Sequence, residues 1–291
     1  MAGPSACEVV LEAAPVSSAV AELGESPLWI EGAGLCWLDV PGQRLHSLDL
    51  HGRHHEVALS ARTTAVELGP GSDLLAVTTT GFGRLDPRSG QVEQLTEVVS
   101  PPVSMNDGGI DARGRAWAGS AVRDGSRRGA LYRLDGEVST HLENLSMSNG
   151  LDWSPAGDEL YHVDSTAGTV TAWEFRLDAG ELGASRLVRR IPPETGLPDG
   201  LTVDENGDIW LAVWGAGQVW RLDPVTGETT AVVQVPASCP TSCAFGGRDL
   251  STLCVTTANR GDTAGGGLLY AVDLPVRGLL PHRFSGGFPC V

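Results

Sequence analysis

Glu25, Asn106, Asn149 and Asp199 recur at one equivalent place in this chain. Each lies 11 or 12 residues before the centre of a short apolar triplet, at Trp37, Trp117, Tyr161 and Trp210 respectively. The same count leads from Leu75 to Thr64, and from Leu253 to Thr241 or Ser242. Two carboxylates and two amides in one place make an oxygen-rich site. Hard divalent cations such as Ca²⁺, Mg²⁺ or Mn²⁺ prefer that chemistry. Zinc could serve as a catalytic ion, but it more often recruits His or Cys. Two acids facing each other without an ion would raise one another's pKa. A plainer reading stands beside this one, because Asn106-Asp107-Gly108, Asn149-Gly150 and Asp199-Gly200 are all ordinary turn sequences. Glu25 fits the turn reading least, since Glu is a poor turn former.

For these residues to meet, the elements that carry them must converge. An apolar residue followed by Asp recurs at Leu48-Asp49, Leu85-Asp86, Leu134-Asp135, Leu177-Asp178, Leu222-Asp223 and Val272-Asp273, with Asp spacings of 37, 49, 43, 45 and 50. Periods of roughly 40–50 residues, with several strand-length segments each, mark the blades of a β-propeller. The fifth unit reads as strands over Leu201–Val203, Ile209–Val213, Gln218–Leu222 and Thr229–Gln234. The predicted fold is all-β: one six-bladed propeller domain over residues 1–291, with a metal site at its central channel. The candidate residues immediately precede inner strands, which line the channel. A ring must close, and a terminal segment around Cys7 to Glu12 is expected to pair into the last blade, because an open edge there would invite aggregation.

Other features narrow the chemistry. All 20 positive charges are arginine, so no lysine can serve as nucleophile or Schiff base. The net charge of −16 argues against partners that present phosphate, both nucleic acid and anionic membrane. The first twenty residues lack a basic region followed by an apolar run, and no stretch approaches transmembrane length. A cytoplasmic protein with reduced thiols is expected, its partner a small-molecule substrate. Asp204 to Asp208 imitates a calcium loop, but Gly207 falls at the fourth position instead of the sixth, so a hairpin turn is expected. His51, His54 and His55 read as an exposed turn, Cys239 and Cys243 as small strand residues, and the tryptophans mostly as core. No nucleophile elbow and no phosphate loop is present.

Five ordered motifs resemble the SMP-30/regucalcin/gluconolactonase (LRE-like) family: Gly24-Glu25-Ser26-Pro27-Leu28-Trp29, Met105-Asn106-Asp107-Gly108, Ser148-Asn149-Gly150-Leu151-Asp152-Trp153, Pro198-Asp199-Gly200 and Thr241 through Gly247. The resemblance spans nearly the whole chain. It implies a six-bladed propeller and a metal-dependent lactonase. It further implies one divalent ion (calcium favoured among Ca, Mg, Mn and Zn) on Glu25, Asn149 and Asp199. Asp199 would also be the catalytic acid/base, and Asn106 a substrate or second metal contact. The resemblance also makes positions 104 and 124 substrate contacts, and there Ser104 and Asp124 depart from the pattern. Ser104 stands where sugar lactonases of the family commonly carry Arg, and Asp124 stands in place of Glu. Arg123 could supply the missing cation, but neighbouring residues of a strand point to opposite faces. Without that cation, gluconolactone is not the expected substrate. The leading reading is a metal-dependent hydrolase of a lactone or similar ester. The alternatives are a phosphotriester hydrolase, a metabolic enzyme with the site repurposed for non-hydrolytic chemistry, and a non-catalytic calcium-binding propeller.

Overall fold

The computed structural model describes residues 9–124, 126–261 and 265–286. Among these residues no helix is present, and the chain forms six antiparallel four-stranded blades, one of them extended by a fifth strand. Blade one, for instance, runs from the inner strand Gly24–Ile30 through Gly34–Asp39 and Arg44–Asp49 to the outer strand His54–Ala58. The inner strands of blades two to six are Thr63–Leu68, Ser104–Ile110, Ser148–Trp153, Leu197–Val203 and Pro240–Gly246. The remaining strands of blade five are Ile209–Trp214, Gln218–Leu222 and Thr229–Gln234, within a residue or a few of the sequence expectation.

Second strands are buried on both faces, as Ile209–Trp214 and Ala116–Ala121 illustrate. Their apolar residues pack between neighbouring blades, and Trp37, Trp117 and Trp210 are almost fully enclosed there. Cys36, Cys239, Cys243 and Cys254 are buried free thiols. The Asp204 segment is the hairpin turn expected of it. Asp204 Oδ1 accepts the amides of Asn206 and Asp208 at 2.9 and 3.1 Å, and its Oδ2 accepts from Trp210 Nε1 at 3.1 Å. Gly207 takes a positive φ of 92° in that turn, where a side chain would be strained.

Ring closure differs from the expectation. Val9–Glu12 lies parallel on Ala231–Gln234, the outer edge of blade five, and Ala14–Pro15 supplies the fourth strand of blade six on Tyr270 and Ala271. Pro15 has no amide to donate, and Val16 N carries the contact one residue further, to Leu269 O at 2.9 Å. One N-terminal segment therefore protects two exposed edges in succession. Cys7 and Glu8, part of the expected closing segment, fall outside the described residues. His54 and His55 are not turn residues either: both belong to the outer strand of blade one and pair with Leu48 and Ser47, while His51 remains in the turn.

Candidate functional site

All six inner strands carry a register shift near their starts. The irregularities fall between Glu25 and Leu28, Thr63 and Ala65, Met105 and Gly108, Ser148 and Leu151, Pro198 and Leu201, and Pro240 and Ser242. Thr64, Asn106, Asn149, Asp199 and Thr241 lie inside these bulges, and Glu25 is the last paired residue before one. A bulge breaks the two-residue alternation and re-aims a side chain. The Asn-Gly and Asp-Gly pairs are thus strand bulges rather than turns. Their glycines are needed for close approach. A Cβ at Gly150 would stand 2.6 Å from the carbonyl oxygen of Asp199, and one at Gly200 would stand 2.2 Å from Ser242 Oγ. The neighbouring inner strand occupies the space that a side chain would fill.

Side chains link one blade to the next around this ring. Ser26 Oγ donates to Val66 O at 3.2 Å and accepts Val66 N at 2.8 Å. Asn106 Nδ2 donates to Ser148 O at 2.9 Å. Asn149 Nδ2 donates to Ser165 Oγ at 3.1 Å and to Asp199 Oδ1. Thr241 Oγ1 donates to Gly24 O at 2.5 Å, closing blade six onto blade one. Thr64 Oγ1 instead donates within its own blade, to Val77 O at 3.1 Å. Thr64 and Thr241 therefore stitch the backbone, whereas Glu25, Asn149 and Asp199 keep oxygen atoms uncommitted. Among the described residues, Asn149 Oδ1, Asp199 Oδ2 and Glu25 Oε1 accept no hydrogen bond, and Glu25 Oε2 takes only a long one from Ser26 N at 3.3 Å.

Burial raises the pKa of Glu25 well above the usual carboxylate range, and the negative charges of Asp199 and Asp107 push it further. Asp199 is raised by burial and by Asp107, while its bond from Asn149 and the charge of Arg123 oppose the rise. Two acids under such mutual repulsion, beside an uncommitted amide oxygen, fit the all-oxygen surroundings that a hard divalent cation takes.

Below the ring the channel opens into a cavity of about 360 Å³. Glu67, Asp107 and Asp152 line it, together with Leu279 to His282 of the C-terminal segment. Burial pushes Asp107 and Asp152 each to about 6 and raises Glu67 well above its ordinary value. Asp152 is anchored by Val203 N at 2.9 Å and Thr202 Oγ1 at 3.2 Å. These three acids escaped the sequence reading. Glu67 and Asp152 each sit three residues after a counted position, so the same count carried one step along the strand would have found them.

The two departures from the family pattern lie apart. Ser104 begins the inner strand of blade three, and its hydroxyl donates to Met105 O at 3.0 Å. Asp124 lies in the exposed turn beyond Ala116–Ala121, where it pairs with Arg128 at 2.6 Å and accepts Ser126 N at 2.9 Å. Its carboxylate is spent on holding that turn, and it enters none of the contacts of the ring residues. Arg123 departs from expectation in the opposite sense. The strand has ended at Ala121, so side-chain alternation no longer governs it. Its positive charge lowers both Glu25 and Asp199. Arg127 and Arg128 face Asp164 and Asp124, whereas Arg123 forms no ion pair among the described residues.

Comparison with known proteins places these features in a family context. A family model described as the SMP-30/Gluconolactonase/LRE-like region matches residues 23–259. Regucalcin of Gallus gallus is 32% identical, with 91% of this chain and 95% of that protein covered. A Bacillus subtilis protein named putative sugar lactone lactonase YvrE is 33% identical, covering 91% of this chain and 96% of that protein. Among solved structures, the calcium-binding protein regucalcin of Agrobacterium tumefaciens superposes with a TM-score of 0.88 at 26% identity, over 96% of this chain and 99% of that one.

Proposed function

Since the chain belongs to the SMP-30/gluconolactonase/LRE-like family, we propose that it is a divalent-metal-dependent lactonase, with calcium the preferred ion. The observation that carries this reading is the ring of bulged inner strands. It carries Glu25, Asn149 and Asp199 and leaves one oxygen of each without a hydrogen bond among the described residues, in surroundings that penalise unneutralised charge. The calcium-binding description of the Agrobacterium protein agrees with that donor set.

A divalent ion held by Glu25, Asn149 and Asp199 would polarise the lactone carbonyl and stabilise the developing oxyanion. The chain's own residues perform the rest. Asp199 accepts the proton of the attacking water at its carboxylate and passes it to the ring oxygen that leaves. Asn149 Nδ2, donating to Asp199 Oδ1, fixes the orientation of that carboxylate and leaves Oδ2 uncommitted. Asn106, anchored through Nδ2 to Ser148 O, presents its remaining amide oxygen to a substrate hydroxyl. Arg123, whose charge reaches Glu25 and Asp199, supplies a cation that can grip the carbonyl or the carboxylate product.

Ser104 carries no charge and is short, which suits a lactone less polar than a polyhydroxylated sugar. The test is an activity screen over gluconolactone, apolar lactones and simple esters, before and after EDTA treatment and with calcium restored. We expect turnover of an apolar lactone that EDTA abolishes and calcium recovers, and weak turnover of gluconolactone that Ser104→Arg improves. Full activity after exhaustive metal removal would refute the metal-dependent reading.

A further inference from the structure

Away from the channel, a second set of metal-ligating side chains stands on the outer half of blade one. In the pairing of Arg44–Asp49 with His54–Ala58, His46 lies directly opposite Glu56. His54 is two residues before Glu56 on the same strand, so all three side chains rise from one face of the sheet. His46 Nδ1 and His54 Nε2 are 3.0 Å apart, and Glu56 Oε2 lies 3.8 Å from His46 Nδ1. The three donor atoms all fall within 4.8 Å of one another. Ligands at about 2.0–2.1 Å around a tetrahedral zinc stand roughly 3.3 Å apart. The adjustment needed is small, and it falls on His54 and Glu56, which are exposed.

The surroundings prepare these groups. Trp37 stacks on His46 at a ring-centroid distance of 5.2 Å and lies 5.8 Å from His54. His46 is almost fully buried. Glu56 Oε1 is held by Arg44 at 3.1 Å, which leaves Oε2 to turn toward the histidines.

We propose that His46, His54 and Glu56 form a zinc site at the rim of blade one, with water completing the coordination on the exposed side. Two nitrogen donors and one carboxylate suit zinc and not calcium, so this site and the channel would take different ions. A bound ion would clip the outermost strand of the blade to its neighbour and so guard an open sheet edge. His46 Nε2 is buried and bonded to no protein group. Dedicated zinc sites give that far nitrogen a partner, and losing such a partner costs about 10–100-fold in affinity. The site is therefore one that fills and empties with zinc supply.

The test uses the full-length chain, stripped with EDTA and then saturated with calcium. Zinc chloride is titrated by calorimetry, bound zinc is counted after equilibrium dialysis, and the thermal midpoint is recorded with and without zinc. His54→Gln and Glu56→Gln are measured in parallel, since both positions are exposed and their replacement leaves the core intact. The parent should bind one more zinc per chain than His54→Gln and gain thermal stability that His54→Gln does not. Glu56→Gln should bind the same zinc at least tenfold more weakly. Equal zinc stoichiometry and equal thermal gain in the parent and His54→Gln would overturn the proposal.

Discussion

The ligands proposed at the channel ring and those proposed at the rim of blade one would be brought together by different routes. At the ring, three blades contribute one residue each, and the fold must close before Glu25, Asn149 and Asp199 meet. At the rim, a single hairpin suffices, because His46 and Glu56 are cross-strand partners and His54 is two residues from Glu56. The donors differ accordingly. The ring offers only oxygen and crowds acids that repel one another, whereas the rim offers two imidazoles and an acid already shared with Arg44. A site assembled from distant segments depends on the global fold, and a site built on one hairpin depends on local register. The first tolerates no loss of a blade contact; the second should persist through changes in the channel.

The largest expected effect strikes the ring alone. If Asp199 is the direct ligand proposed above, Asp199→Ala removes it, and since outer partners alone are worth about 10–100-fold, calcium affinity should fall by at least about 100-fold. Zinc uptake at the rim should be unchanged. Calcium and zinc calorimetry on one preparation checks both, and joint loss of the two ions would show that the sites are not independent.

Next in size is Arg123→Gln. A charge-assisted hydrogen bond is worth about 1.5–3 kcal/mol, so kcat/KM for a lactone should drop roughly ten- to a hundredfold. Calcium affinity should hold or rise slightly, because the substitution removes a positive charge whose field reaches Glu25 and Asp199. Steady-state kinetics beside a calcium titration separates the two effects. A loss of calcium affinity would place Arg123 in the support of the ring instead of the grip on substrate.

The smallest effect concerns stability and pH. Burial raises Asp107 from its ordinary value near 3.8 to about 6 in the folded chain. The folded state therefore holds that proton more tightly than the unfolded state. Its contribution to stability is present below about pH 4, is lost as pH rises toward 6, and stays lost above. In the metal-free protein, Asp107→Asn should be more stable than the parent at pH 7.5, by on the order of 2 kcal/mol. The difference should vanish near pH 4. Denaturant titrations at the two pH values measure it, and a gain at pH 4 as large as that at 7.5 would exclude relief of a buried charge as the cause. Calcium should shrink the difference, since a cation nearby stabilises the same buried negative charge.

Much of this architecture is legible in the sequence because the repeat is periodic. Counting back from Trp37, Trp117, Tyr161 and Trp210 selects the ring residues without any knowledge of the bulges that aim them. What the count misses depends on three-dimensional neighbours. Asp107 and Asp152 look like parts of Asn-Asp-Gly and Leu-Asp-Trp motifs until the inner strands are seen to face one another. Arg123 is discounted by the alternation of side chains in a strand, yet the strand stops at Ala121. His46 carries no signal at all in the linear chain, because its two partners are reached only through the register of an outer hairpin. The closure by Ala14–Pro15 is hidden for the same reason: two residues are too few to announce a strand.

Asp199→Asn separates the two roles proposed for that carboxylate, because an amide oxygen can still face a cation but cannot accept a proton. Calcium binding and lactone turnover should be measured on the same sample, the first by calorimetry and the second by following acid release at saturating calcium. Calcium affinity should stay close to that of the parent while turnover falls about 10²–10⁴-fold, the usual contribution of a general acid–base group. Turnover near the parental level with calcium bound would contradict this expectation and remove Asp199 from the chemistry.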